Sequence, residues 1–395
     1  MIYFNNAATS WPKFKTTEKV ISDAIKNGRV YCGRDTADFS HIEAELFSLR
    51  QNLSEHFLHA KAPHELCFAS SSTLALNELI MGRVLWLKHH GVNLKNGVIL
   101  CSDREHNSVM RPLANLKERF GIDFVTVPLH NGMVSIPEIT KIIDEIRKKF
   151  KLIFFAVFSH VSNVTGDSLN AEELGLVLKQ KNIPFLLDTT QSIGITPINV
   201  EQMFVSATAF AGHKGLNGPQ GTGAFYVRHG FNIEPILYGG TGHASSMISP
   251  PIAYPDSFEV GTPPVHDLLG LADSVKTILE MNGRYARQIL SVTQYCQDKF
   301  AIIKGIHIYG RSKKESSILS FAIKDTNPSV LAQYLWDTVK INARAGILCS
   351  PMGLKAIGQE SVLRFSFGYF NTFDEIDKAA KVVTKFSKEK GTVFL

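Results

Sequence analysis

The chain has 395 residues, 44% of them hydrophobic and 20% charged, which leaves room for two or three domains of about 150 residues and excludes a disordered or fibrous protein. Its 42 basic and 36 acidic side chains give a net charge of +6, and the basic clusters at 147–151 and 385–390 fall in amphipathic helical patterns, so no nucleic-acid partner is expected. No apolar run could span about 30 Å of hydrocarbon, no signal peptide is read at the N-terminus, and five scattered cysteines without a C-x-x-C pair (Cys32, Cys67, Cys101, Cys296, Cys349) argue against disulfides and structural zinc. The expectation is a protein of the reducing cytoplasm with no metal and no membrane association.

Short apolar strands alternate with helical patterns from about Glu65 to Val227. Helix 74–89 precedes strand 97–102, helix 109–120 leads to strand 124–128, helix 136–150 to strand 152–159, and helix 171–180 to strand 185–188. Strands 207–210 and 223–227 close the series. Such alternation predicts an α/β fold with a mainly parallel sheet flanked by helices. A Gly-, Pro- and Ser-rich stretch at 238–264 reads as an extended connection. A long helix is predicted at 265–300, followed by a smaller C-terminal α/β domain that ends in helix 372–387. The expected division is a large domain at 15–260 and a small one made of 1–14 and 261–395.

Ligands of mainly parallel sheets bind outside the carboxyl ends of the strands, so the polar residues there are the ones that matter. Asp188 ends an apolar strand, where a carboxylate needs a cation or strong donors; taken alone it could equally cap a helix. The next strand ends in Gly212-His213-Lys214-Gly215. A desolvated lysine there could lose its proton and form a Schiff base, although most lysines in turns are merely solvated. Asp188 and Lys214 on successive strand ends outline a pocket for pyridoxal phosphate. Ser72 and Thr73, at the start of the helix near Leu74, suit a phosphate or serve as an ordinary cap. His106 follows strand 97–102, where its ring could stack on a flat cofactor.

The ordered set NNAATS, EHNSV, HVSNVTG, DTTQ, GHKGLNGPQGTG, FEVGTPP and RAGILC resembles the cysteine desulfurase branch of the class V aminotransferases. The resemblance implies the fold type I of pyridoxal phosphate enzymes, similar to aspartate aminotransferase, and it assigns roles residue by residue. Lys214 matches the cofactor-binding lysine and Asp188 the partner of the pyridine nitrogen. His106 matches the ring-stacking histidine, and Asn163 and Gln191 match neighbours of the ring hydroxyl. Ser72, Thr73 and His213 match phosphate contacts. Thr262 matches a threonine that serves the neighbouring subunit, which implies a homodimer.

Arg364 matches the arginine for the substrate carboxylate and Cys349 the catalytic cysteine. The implied reaction converts L-cysteine to L-alanine with sulfur left on Cys349 as a persulfide, to be collected by a sulfur-acceptor protein. Selenocysteine lyase, C–S lyase, aminotransferase and a catalytically weak scaffold are the alternatives. The chain departs from the family pattern at Asn5, Ser71, Leu74, Ala211 and Leu348.

Overall fold

The computed structural model describes residues 1–29, 37–150, 152–241, 246, 248–249 and 251–392, apart from the side chains of 37–40 and 389–392; Cys32 lies outside the described residues. In chain order the first part runs β1 (Ile2–Tyr3), α1 (Lys15–Lys26), α2 (Ala37–Asn52), β2 (Leu66–Ala69), α3 (Ser72–His89), β3 (Gly97–Ser102), α4 (Asn107–Phe120), β4 (Asp123–Val127), β5 (Leu129–His130), β6 (Met133–Val134) and α5 (Ile136–Lys149). It continues through β7 (Leu152–Ser159), α6 (Ala171–Gln180), β8 (Phe185–Asp188), β9 (Ala207–Ala211) and β10 (Gly223–Val227). The last part comprises α7 (Val265–Glu280), α8 (Arg284–Ala301), β11 (Ile306–Tyr309), β12 (Ile318–Ile323), α9 (Pro328–Val339), β13 (Ile341–Asn342), β14 (Arg344–Gly346), α10 (Pro351–Ala356), β15 (Val362–Ser366) and α11 (Phe373–Thr392).

A seven-stranded sheet of order β2-β10-β9-β8-β7-β3-β4 carries the first layer. Its pairings are parallel from β9 to β4, and β10 runs antiparallel to both its neighbours. All residues of β3, β8, β9 and β10 are buried, so their apolar runs carry no alternation and need cover on both faces. Phe158 and Leu187 pack into one core, Val157 and Leu186 into the other. The expected mainly parallel sheet flanked by helices, with a smaller α/β layer, is therefore borne out.

Two local expectations need correction. Helices α3 and α4 begin at Ser72 and Asn107, two residues before the apolar pattern, because Ser71 and His106 accept N–H groups of their first turns. The helix expected over 265–300 is broken into α7 and α8, since Asn282 and Gly283 take left-handed conformations at φ 48° and 76°, which end a helix and favour these two residue types.

A smaller antiparallel sheet, β11-β12-β15-β14, packs on an aromatic core in which Phe321 and Phe365 meet edge-on at 5.1 Å. Phe4 enters that core with its ring centroid 5.0 Å from those of Phe365 and Phe367. The N-terminal segment thereby joins both layers. Strand β1 pairs with β13, and the Ala7 N–H donates to Ser366 Oγ at 2.8 Å. On the other side the Ser10 N–H donates to the His213 carbonyl at 2.8 Å, and Gln191 Nε2 to the Ala7 carbonyl at 3.1 Å. No described helix is long and apolar enough to cross a membrane.

Candidate active site

The sheet order places the carboxyl ends of β9, β8, β7 and β3 side by side, and the connections leaving the parallel neighbours β3 and β7 lead to opposite sides of the sheet. That divergence opens a crevice between the loops, the usual position of a ligand in such sheets. Asp188 is the last residue of β8 and pairs in register with Ser159 and Ala209 on either side. Lys214 follows β9 by three residues, and His106 caps the helix after β3.

Asp188 is buried, and its Oδ1 accepts the Thr190 N–H at 2.9 Å. No cation lies within ion-pair distance of it among the described residues, and burial holds its carboxyl above the usual range despite the charge of Lys214. Burial also pushes the Lys214 amine down to about 8; Asp188 opposes that shift, while Arg364 and Arg344 reinforce it. The result is a lysine able to present a neutral amine near physiological pH and a carboxylate that lacks a cationic partner.

The start of α3 faces this crevice from β2. Ser71 Oγ accepts the Leu74 N–H at 3.2 Å, which leaves the Ser72 and Thr73 N–H groups without partners among the described residues. A Cβ on Gly223 would lie 3.0 Å from Ser71 C and 3.2 Å from Ser72 N, so glycine there lets the helix start sit against β10. His213 is turned toward the N-terminal segment, its Nδ1 3.0 Å from Thr9 Oγ1. Ala211 supplies no hydroxyl.

Cys349 is exposed, whereas Cys67, Cys101 and Cys296 are buried. Leu348 and Cys349 both have left-handed backbones, at φ 56° and 57°, which cost non-glycine residues about 1–3 kcal/mol each unless their surroundings hold them. Three bonds do so. Asn163 Nδ2 donates to the Leu348 carbonyl at 2.7 Å, the Asn107 N–H to the Cys349 carbonyl at 2.9 Å, and Ser350 Oγ to the Glu105 carbonyl at 3.0 Å. Cys349 thus shares a cavity of about 520 Å³ with His106, Thr73, Ser108 and Arg111. Its Sγ lies 3.6 Å from Arg344 Nη2.

Arg364 is buried; its Nη1 donates to the Asn163 carbonyl at 2.8 Å and its Nε finds no acceptor among the described residues. Burial and the neighbouring Arg344 charge hold its guanidinium down at about 9. Buried donors without acceptors call for an anion. Gln191 reaches the N-terminal segment, and Asn163 braces the Cys349 loop. Thr262 stands apart from these residues: it is exposed and lines a different cavity, of about 730 Å³, with Arg50, Phe68, Ser70 and Glu259.

Two further residues, Arg344 and Glu105, belong to the site. Arg344 opens the RAGILC stretch, and only the structure gives it a place in the site, beside the Cys349 sulfur. Glu105 is fully buried, where it accepts the Ser159 N–H at 2.9 Å and the Ser159 hydroxyl at 2.7 Å while also bonding Ser102, so it ties the ends of β3 and β7 together. Burial pushes its carboxyl up to about 7. An acidic residue directly before a strand-end histidine was the available signal. Among the described residues, no group of three His, Cys, Asp or Glu side chains is placed to hold a metal ion.

The donor set suits pyridoxal phosphate. A buried carboxylate with no cation at ion-pair distance among the described residues can take the protonated ring nitrogen, the helix start and its hydroxyls can take a phosphate, and a lysine of lowered pKa near that carboxylate can take the cofactor's carbonyl carbon. The model of the aminotransferase class-V family matches residues 2–379. A probable cysteine desulfurase of Halalkalibacterium halodurans is 26% identical over 401 residues, covering 100% of this chain and 95% of its own. One from Pyrococcus abyssi is 25% identical, covering 98% and 94%. Among solved structures, the apo cysteine desulfurase of Thermococcus onnurineus NA1 matches with a TM-score of 0.86 at 26% identity, covering 98% of this chain and 95% of its own. An Escherichia coli cysteine desulfurase matches with 0.83 at 20% identity over 98% and 94%, a likeness of fold alone.

Proposed function

This chain belongs to the class V aminotransferase family, and from that membership we propose that it is a pyridoxal phosphate-dependent cysteine desulfurase, converting L-cysteine to L-alanine and keeping the sulfur on Cys349 as a persulfide. The observation that carries the reading is the convergence, at one sheet edge, of a lysine of lowered pKa, a buried carboxylate with no cation at ion-pair distance among the described residues, and an exposed free thiol beside a guanidinium. The names of the relatives support it.

Asp188 would hold the ring nitrogen, His106 would stack on the ring, and Asn163 and Gln191 would lie near its hydroxyl. Ser72, Thr73 and His213 would hold the phosphate, with Thr262 contributed by a second copy in a homodimer. The bound cofactor supplies an electron sink for the pair left when a proton leaves the substrate α-carbon. Lys214 would carry the cofactor covalently and move that proton. Arg364 orients the substrate carboxylate by a planar pair of donors.

The thiolate of Cys349 attacks the substrate sulfur: an S–S bond forms, the substrate C–S bond breaks, and its electron pair and a proton finish on the carbon that becomes the alanine methyl group. The sum is cysteine plus thiol giving alanine plus persulfide, with no external oxidant. Arg344 Nη2, 3.6 Å from Sγ, would help to hold the sulfur in place for this attack. A sulfur-acceptor protein then collects the outer sulfur, and a reducing compartment such as the cytoplasm suits an exposed thiol of this kind.

The test incubates the protein and a Cys349→Ser variant with L-cysteine and a reductant, and measures alanine and sulfide. Sulfide from the native protein alone is expected. Equal sulfide from both would point instead to a lyase that works without Cys349, and absence of the cofactor band at roughly 410–430 nm would point to a scaffold protein.

A further inference from the structure

The ring of His106 caps α4, and the two groups that meet its Nδ1 determine where the ring carries its proton. The Ser108 backbone N–H lies 3.0 Å from Nδ1. A backbone amide can only donate, so this nitrogen must offer a lone pair, and a neutral imidazole with a bare Nδ1 carries its hydrogen on Nε2.

Ser108 Oγ lies 2.7 Å from the same nitrogen. Facing a lone pair, the hydroxyl must donate too, which leaves its own lone pairs for Thr73 Oγ1 at 3.1 Å. The bonds therefore run in one direction, from the Thr73 hydroxyl to Ser108 Oγ and from the Ser108 hydroxyl to His106 Nδ1. Burial and the charge of Lys214 hold the imidazole down at about 4, so the ring stays neutral near pH 7. The cavity it lines also contains Cys349.

We propose that Ser108 is a positioning residue that fixes His106 as the Nε2–H tautomer, so that the imidazole meets substrate as a neutral hydrogen-bond donor rather than as a base. The consequence for turnover rests on the desulfurase reading; the tautomer itself does not. Thr73 also lies at the start of α3, where a phosphate is proposed to bind, so the same chain of hydroxyls connects the phosphate end of the site with the ring that would stack on the cofactor.

The experiment is histidine-selective ¹⁵N NMR on the purified protein, with and without added pyridoxal phosphate, using a His106→Gln variant to assign the resonances. The native protein is expected to show His106 with Nδ1 unprotonated and Nε2 protonated in both states. Ser108→Ala keeps the backbone N–H but loses the hydroxyl, so it should admit a minority of the Nδ1–H tautomer and lower kcat about tenfold with little change in KM, and Ser108→Thr, which keeps a hydroxyl, should recover most of the loss. An Nδ1–H tautomer in the native protein, or a Ser108→Ala variant with native tautomer and native kcat, would overturn the proposal. A native protein that makes no alanine from cysteine would sink the desulfurase reading while the NMR result still decides the tautomer.

Discussion

Arg344 and Arg364 stand directly opposite each other in the antiparallel pairing of β14 and β15. Like charges across a ladder repel, and each arginine adds to the field that lowers the Lys214 pKa. Their other neighbours explain the arrangement: one guanidinium reaches the Cys349 sulfur, and the other is buried with an Nε that lacks an acceptor among the described residues. A substrate carboxylate and a thiolate would together supply the missing negative charge.

The division of labour between them is measurable. Arg364→Lys keeps the charge but loses the planar pair of donors, and KM for L-cysteine is expected to rise by about 10-fold or more. Arg344→Gln should leave KM nearly unchanged and slow the reaction of Cys349 with iodoacetamide at pH 7. Steady-state kinetics and alkylation rates separate the two; a KM effect from Arg344 alone would contradict the assignment.

Cofactor capture should depend on pH with a definite sign. The Lys214 amine is held down at about 8, so its neutral, nucleophilic form grows as pH rises through that value. Protein stripped of cofactor is expected to take up pyridoxal phosphate faster at pH 8.5 than at pH 7, as roughly set by that midpoint. Removing the Arg364 charge as Arg364→Gln should move the midpoint upward, because a cation that disfavours the protonated lysine is lost.

Asp188 gives opposite signs for stability and function. Its folded-state pKa is raised by burial, so the ionised carboxylate costs stability as pH rises above its ordinary value of 3.8. In the stripped protein Asp188→Asn is expected to raise the thermal midpoint by about 2 °C at pH 7. The same variant should bind the cofactor weakly and lose almost all turnover. A variant less stable than the native stripped protein would mean that the carboxylate has a stabilising partner.

Gly223→Ala tests the close approach of α3 to β10. The added methyl would lie 2.8 Å from the Phe210 carbonyl oxygen as well as against Ser71 and Ser72, all of them backbone contacts that cannot simply turn away. A loss of about 1–3 kcal/mol in stability is expected, with a weaker cofactor affinity because the start of α3 is displaced. Denaturant melts and cofactor titration read the two effects; unchanged affinity would place the phosphate elsewhere.

Much of this molecule could be read along the chain because its signals are local. A fully buried parallel strand must be a short apolar run, and the polar residues at or shortly after its end must lie at the sheet edge, as Asp188, Lys214 and His106 do. The break between α7 and α8 at Asn282 and Gly283 is hidden in the pattern, because the apolar periodicity continues on either side of it.

The sequence alone therefore determined the fold class and the identity of the chemical groups, through strand-length apolar runs and residue types suited to one cofactor. Only the tertiary structure decided which of those groups meet. The opposition of Arg344 and Arg364 is a matter of strand register, the left-handed backbone at Cys349 depends on bonds from Asn163 and Asn107, and the Ser108 hydroxyl on α4 meets Thr73 on α3. Each requires elements far apart in the chain to be packed at hydrogen-bond distance, and no pattern of neighbouring residues encodes that distance.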